Sequence, residues 1–100
     1  MKLMTEEIRA ALPALYSTED VATEDKRIIV KFFDPCGSWT WYAIEGDTDG
    51  DDIRFFGLVH GHEKEWGYFM LSELESVKGP MGIGIERDLH FSNKKISDIQ

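Results

Sequence analysis

The sequence predicts an α+β domain: a curved antiparallel sheet of about four to six strands with an N-terminal helix and a second short helix packed on it. Three observations carry this expectation. β-branched and aromatic runs recur between turn signals at regular spacing from Arg27 to Leu71, the pattern of a β-meander. Helix start and stop signals bracket two short segments, residues 5–12 and 72–78. A length of 100 residues with 42% hydrophobic content is enough for one core, so residues 1–100 read as a single domain.

The N-terminal helix is predicted over residues 5–12. Thr5 is a good N-cap, Glu6 and Glu7 fall at the positive end of the dipole, and Ile8, Ala11 and Leu12 share a face before Pro13. Residues 17–26 are polar and read as a loop long enough to be mobile. Residues 27–33 form the first strand, and Pro35 and Gly37 mark a turn into a second at 39–44, giving a hairpin. An acidic loop follows, then strands at 53–59 and 66–71, joined by a turn through His60 to Glu65. Ser72 with Glu75 spells a capping box for the second helix, and Gly79-Pro80 stops it. Ile85, Leu89 and Phe91 suggest a fifth strand around Glu86 to Asp88, and Ile96 and Ile99 suggest a terminal helical turn that docks on the sheet.

Charge is the most distinctive property. The net charge is −8, and Glu45, Asp47, Asp49, Asp51 and Asp52 fall within eight residues that contain no base. Like charges this close repel by about 1 kcal/mol per pair in water. The run must therefore stay solvated, bind a cation or face a basic partner. The acidic balance opposes direct nucleic-acid binding, which needs Lys and Arg on phosphates, and opposes anionic membranes. It suits a basic protein groove, with Glu63 and Glu65 as further candidates for partner contact. If the run were an extended strand, alternate carboxylates would repeat at roughly 6.6 Å on one face, although Gly46 and Gly50 argue against regular extension.

Other constellations are incomplete. Glu45, Asp47, Asp49 and Gly50 resemble half of an EF-hand loop, but Phe56 stands where a bidentate Glu is required and the flanks read as strands. His60, His62 and Glu63 supply two or three ligands, which Cys36 or His90 would have to complete. Cys36 beside Pro35 and Gly37, with one of these histidines as base, offers a nucleophile arrangement, but no family-specific sequence context supports it. Gly79, Gly82 and Gly84 lack the Lys-Ser/Thr of a phosphate loop. No metal or cofactor is predicted. The aromatics Phe32, Phe33, Trp39, Trp41, Tyr42, Phe55, Phe56, Trp66, Tyr68 and Phe69 read as core, with one exposed Trp as a possible anchor for a protein partner. One cysteine excludes an internal disulfide, no apolar run approaches the roughly 20 residues of a membrane span, and the acidic N-terminus lacks a secretory pattern; together these predict a cytoplasmic protein.

Val30-Lys31-Phe32-Phe33, Trp39-Thr40-Trp41-Tyr42, Phe55-Phe56-Gly57-Leu58-Val59, Gly67-Tyr68-Phe69, the stretch from Leu71 to Val77 and that from Ile85 to Leu89 together resemble domain of unknown function family 2958. The resemblance covers nearly the whole chain. It implies a short bacterial protein encoded on plasmids, integrative elements or phages near conjugation and anti-restriction genes, and it carries no catalytic residues. The functional expectation is an acidic inhibitor that binds a basic host protein or nucleic-acid-binding complex of a CRISPR or restriction defence, as a nucleic-acid mimic. The alternatives are a small metal- or cysteine-dependent enzyme and an accessory interaction module that inhibits nothing.

Overall fold

A computed structural model describes residues 1–100. The chain folds as helix α1 (Glu6–Ala11), strands β1 (Arg27–Ile28), β2 (Val30–Phe33), β3 (Thr40–Asp49), β4 (Asp52–His60) and β5 (Lys64–Met70), helix α2 (Leu71–Ser76), strands β6 (Glu86–Arg87) and β7 (Lys94–Lys95), and helix α3 (Ile96–Ile99). Five strands make an open antiparallel sheet in the order β5-β4-β3-β2-β6, and β1 pairs with β7 in a separate two-stranded ribbon. The α+β architecture and the meander are those the sequence predicts. The ribbon is an addition, because two-residue strands leave no periodic signal.

Strand alternation divides the side chains between two faces. On the first lie Val30, Phe32, Ala43, Ile53, Phe55 and Phe69, joined by Leu3, Met4, Leu74 and Ile85 in the main core. Phe55 stacks on Phe69 at 5.3 Å and meets Phe32 edge-on at 5.6 Å. Each such pair adds about 0.5–1.5 kcal/mol beyond area burial. Helices α1 and α2 close this face through Ile8, Leu12, Leu71 and Leu74. The second face holds a smaller core of Ile28, Ile44 and Ile96, against which Tyr42, Phe56, Phe91 and Ile99 pack. The terminal helix therefore docks where two isoleucines were expected to place it.

Three boundaries differ from the sequence reading. The acidic loop is mostly strand: Glu45 pairs with Phe56, Asp47 with Arg54, and Asp49 with Asp52, so only Gly50 and Asp51 turn the chain. Gly50 adopts φ 61°, which a two-residue hairpin turn needs at its first position. The second helix starts at Leu71 instead of after a Ser72 cap. Glu73 Oε1 accepts the Met70 amide at 2.8 Å, while Ser72 is engaged by Asp52 of the neighbouring strand. The segment 17–26 is tied down by turns that include Val21 N to Thr18 O at 3.0 Å, a 3-10 turn at Thr23–Asp25 and a hydrogen bond from Lys26 Nζ to Thr18 O.

Candidate functional site

The five clustered carboxylates separate into different roles once the chain is folded. A β-bulge between Ala43 and Glu45 inserts Ile44 as an extra residue and turns Glu45 to the second face, beside the Ile28 core. There Glu45 is only 4% exposed. Its carboxylate accepts the Tyr16 amide at 2.8 Å, the Thr18 amide at 3.1 Å and the Thr18 hydroxyl. Asp47 accepts the Leu15 amide at 2.9 Å, and Gly46 N donates to Pro13 O at 2.9 Å. The inner half of the run thus clamps residues 13–18 onto β3. Glu45 cannot touch a partner, which corrects its assignment to the partner-facing set; a carboxylate with three donors is stabilised in place of being solvated.

Asp49 pairs with Arg54 at 3.2 Å, both about half exposed, and such a surface pair contributes about 0–1 kcal/mol. Asp51 is exposed at the tip of the hairpin. Asp52 accepts the Ile53 amide at 2.8 Å, the Ser72 amide at 3.0 Å and the Ser72 hydroxyl, and so anchors the first turn of α2 to β4. The Ser72 hydroxyl and then the Ile53 amide hold the Asp52 carboxyl below the ordinary aspartate value, against the opposing effect of burial and with a lesser contribution from the Ser72 amide. Because the folded value is depressed, the stabilisation is complete above the unfolded value of about 3.9 and is lost as pH falls through the lower folded value. An Asp52→Asn variant is therefore expected to unfold at a lower urea midpoint than wild type at neutral pH, with the gap closing in acid. A gap that stayed constant from neutral pH to below the folded value would contradict this assignment.

Glu63 and Glu65 lie at the opposite end of the β4–β5 hairpin. Asp52 and His60 bound β4, and eight steps of strand place the two acidic groups roughly 27 Å apart. They do not form one patch. The same far end carries His60 at the end of β4 and His62 in the turn, where His62 packs edge-on against Trp39 at 5.8 Å. Cys36 is exposed in the β2–β3 turn and donates its amide to Asp34. No three His, Cys, Asp or Glu side chains gather into a group that would hold a metal. The strands flanking Gly50 also preclude the helix-loop-helix of an EF-hand.

The feature that the sequence reading underweighted is aromatic. On the second face Phe56 pairs with Tyr68 and Leu58 with Trp66 across β4 and β5. Phe56 stacks on Trp66 at 5.9 Å and tilts against Tyr68 at 5.0 Å. Tyr16 reaches over from the clamped segment, its ring edge-on to Tyr68 at 6.4 Å, and accepts the Tyr68 hydroxyl at 2.9 Å. This hydrogen bond, then burial and the nearby Tyr16 and Glu45 charges, raises the Tyr68 phenol above its ordinary value, with Arg54 opposing. Tyr16 is 62% exposed, Tyr68 49% and Trp66 38%. Phe56, Trp66 and Tyr68 stand among the aromatics that the sequence assigns to the core, with one exposed Trp allowed as an anchor; Tyr16 does not.

Carboxylates border this patch on the hairpin side: Asp47 and Asp49 on the same face, with Asp51 at the tip. Glu19, Asp20, Glu24 and Asp25 are exposed in the segment that follows the clamped residues 13–18. Two of the positive groups nearby are engaged within the molecule, Arg54 by Asp49 and Lys26 by Thr18, while Lys64, on the same face at the start of β5, is exposed. On the same sheet face Lys31 lies 3.3 Å from Asp88 and sits over the Phe91 and Tyr42 rings at 5.7 and 5.9 Å. The site is an aromatic surface with an acidic border, in which Asp49 is paired with Arg54, Asp47 accepts the Leu15 amide and Asp51 is exposed without a partner.

A family model described as "Protein of unknown function (DUF2958)" matches residues 3–98. The chain belongs to this family. No curated protein and no solved structure matches it. The match spans every strand of the DUF2958 protein, α1, α2 and all of α3 but Ile99, including the buried Leu3 and Met4 and the docked Ile96. No helix of the DUF2958 protein is long and apolar enough to cross a membrane.

Proposed function

We propose that this DUF2958 protein is a cytoplasmic, non-enzymatic binding protein that engages a basic, nucleic-acid-handling protein and inhibits it by occupying the groove meant for DNA or RNA. The observation that carries this reading is the Tyr16, Phe56, Trp66 and Tyr68 surface beside the acidic β3–β4 hairpin. Exposed Trp and Tyr supply contact energy with little side-chain entropy to lose, and they concentrate in interface hot spots. The acidic borders add steering toward a positive partner, strongest at low salt. Net charge −8 supports the same choice of partner. The mobile-element context implied by the sequence resemblance motivates a host defence complex as the target.

The test uses tagged wild-type protein, a Trp66→Ala/Tyr68→Ala variant and a Glu19→Gln/Asp20→Asn/Asp51→Asn variant against host lysate. Nucleic-acid-binding proteins are expected on the wild-type beads, released by added duplex DNA. Loss of the aromatic pair is expected to weaken capture by about 30-fold, as for a hot spot of about 2 kcal/mol. The charge variant should chiefly weaken the salt dependence. Capture that duplex DNA does not compete, or that both variants retain in full, would remove the mimicry reading.

A further inference from the structure

The aromatic surface runs to an open sheet edge. Strand β5 is bonded to β4 on one side only, and no backbone hydrogen bond outside the regular elements involves residues 64–69. Met70 N, turned away from β4, donates to Glu73 at 2.8 Å. Alternation then directs the N–H and C=O groups of Lys64, Trp66 and Tyr68 to the same unpaired side. The strand contains no proline and pairs with β4 in unbroken register, so two devices that commonly blunt an edge are missing.

We propose that β5 accepts an extended segment of a partner protein, rich in lysine or arginine, as an added sheet strand. This deepens the basic-partner reading and rests on it. Backbone pairing would place every second residue of the incoming strand on the second face, opposite Trp66 and Tyr68, at a repeat of roughly 6.6–7 Å. Cationic side chains at that repeat lie against the outer ring faces of the indole and phenol, whose inner sides already pack on Phe56. Residues in between point to the first face, where Glu65 is exposed and where nothing lies within 4 Å of the position of a Gly67 side chain. That gap receives a long side chain and Glu65 pairs with its charge. A second copy of this chain fits the edge geometrically but sets −8 against −8.

The probe is a synthetic peptide with arginine at every second position, compared with the same peptide N-methylated on the amides that would face β5. Amide spectra and hydrogen exchange of the isotopically labelled full chain are followed during titration. The unmodified peptide is expected to slow exchange of the Trp66 and Tyr68 amides by about tenfold or more, and N-methylation to weaken binding by at least about tenfold, as the loss of two or more backbone hydrogen bonds implies. Equal binding of both peptides with ring shifts but no amide protection overturns strand addition and leaves the basic-partner reading standing. No binding of either peptide, while DNA-competed capture of host proteins persists, also overturns it; loss of that capture as well removes both. Self-association in sedimentation that excludes the peptide overturns the proposed occupant.

Discussion

Glu45→Ala is expected to destabilise the protein by about 3 kcal/mol and to release residues 16–26 from the sheet, since hydrogen bonds to a charged acceptor contribute about 1.5–3 kcal/mol each before rehydration of the freed donors. Three donors converge on this carboxylate, from Tyr16 and twice from Thr18. The loss spreads because Lys26 Nζ in turn donates to Thr18 Oγ1 at 3.1 Å, and Lys26 O accepts the Ile96 amide at 3.0 Å where the terminal helix begins. Hydrogen exchange gives the direct readout: the Tyr16 and Thr18 amides should lose their protection while those of β4 and β5 keep theirs. Glu45→Gln keeps one acceptor oxygen but presents an NH2 group to a donor, and should fall between the two. The variant also displaces Tyr16 from Tyr68 and so weakens partner capture without touching Trp66. Retained protection at Tyr16 and Thr18 in the alanine variant would show that something other than Glu45 holds the segment.

Gly57→Ala carries the second large effect. A Cβ at this position would lie 1.8 Å from Tyr42 O, 2.8 Å from Tyr42 C and 3.0 Å from Ala43 Cα. All three are backbone atoms, so no side-chain rotation relieves the overlap, and the β3–β4 pairing must separate beside the bulge. Overpacking costs about 1–3 kcal/mol even where side chains yield, so about 3 kcal/mol or more is expected here. A domain of this size has about 5–15 kcal/mol in total, and each kcal/mol moves the melting temperature by about 4–8 °C. Gly67→Ala, on the adjacent strand at the same level of the sheet, meets nothing within 4 Å and is the matched control. A Gly57→Ala melting temperature within a few degrees of that control would mean the bulge tolerates a wider strand separation than the structure shows.

These two residues show why the fold was more legible than the site. The aromatic and β-branched runs at 39–44 and 53–59 mark the cores of β3 and β4, signals contained within a few consecutive residues, whereas the acidic residues between them read as loop and prove to extend both strands up to the Gly50-Asp51 turn. α1 follows from Thr5, whose hydroxyl accepts the Ile8 amide at 3.1 Å as a three-residue spacing predicts. The Ser72 cap failed because Asp52, twenty positions earlier in the chain, offered its carboxylate to the same residue. The aromatic surface was assigned to the core because composition gives no sidedness: Phe55 and Phe56 are adjacent and similar, yet alternation buries the first among α1 and α2 and sets the second under Trp66 and Tyr68.

By itself the amino-acid sequence determined the α+β class, the order of the meander strands, the first helix and a strongly negative surface, all of which depend on periodicity, turn chemistry and charge count. Tertiary structure alone decided which carboxylates remain free. Glu45 finds its donors 27 and 29 residues away, and it faces them only because one inserted residue at the bulge shifts the register. In a strand every such shift exchanges the two faces, so a side chain's surroundings depend on pairing between distant segments that no local pattern encodes.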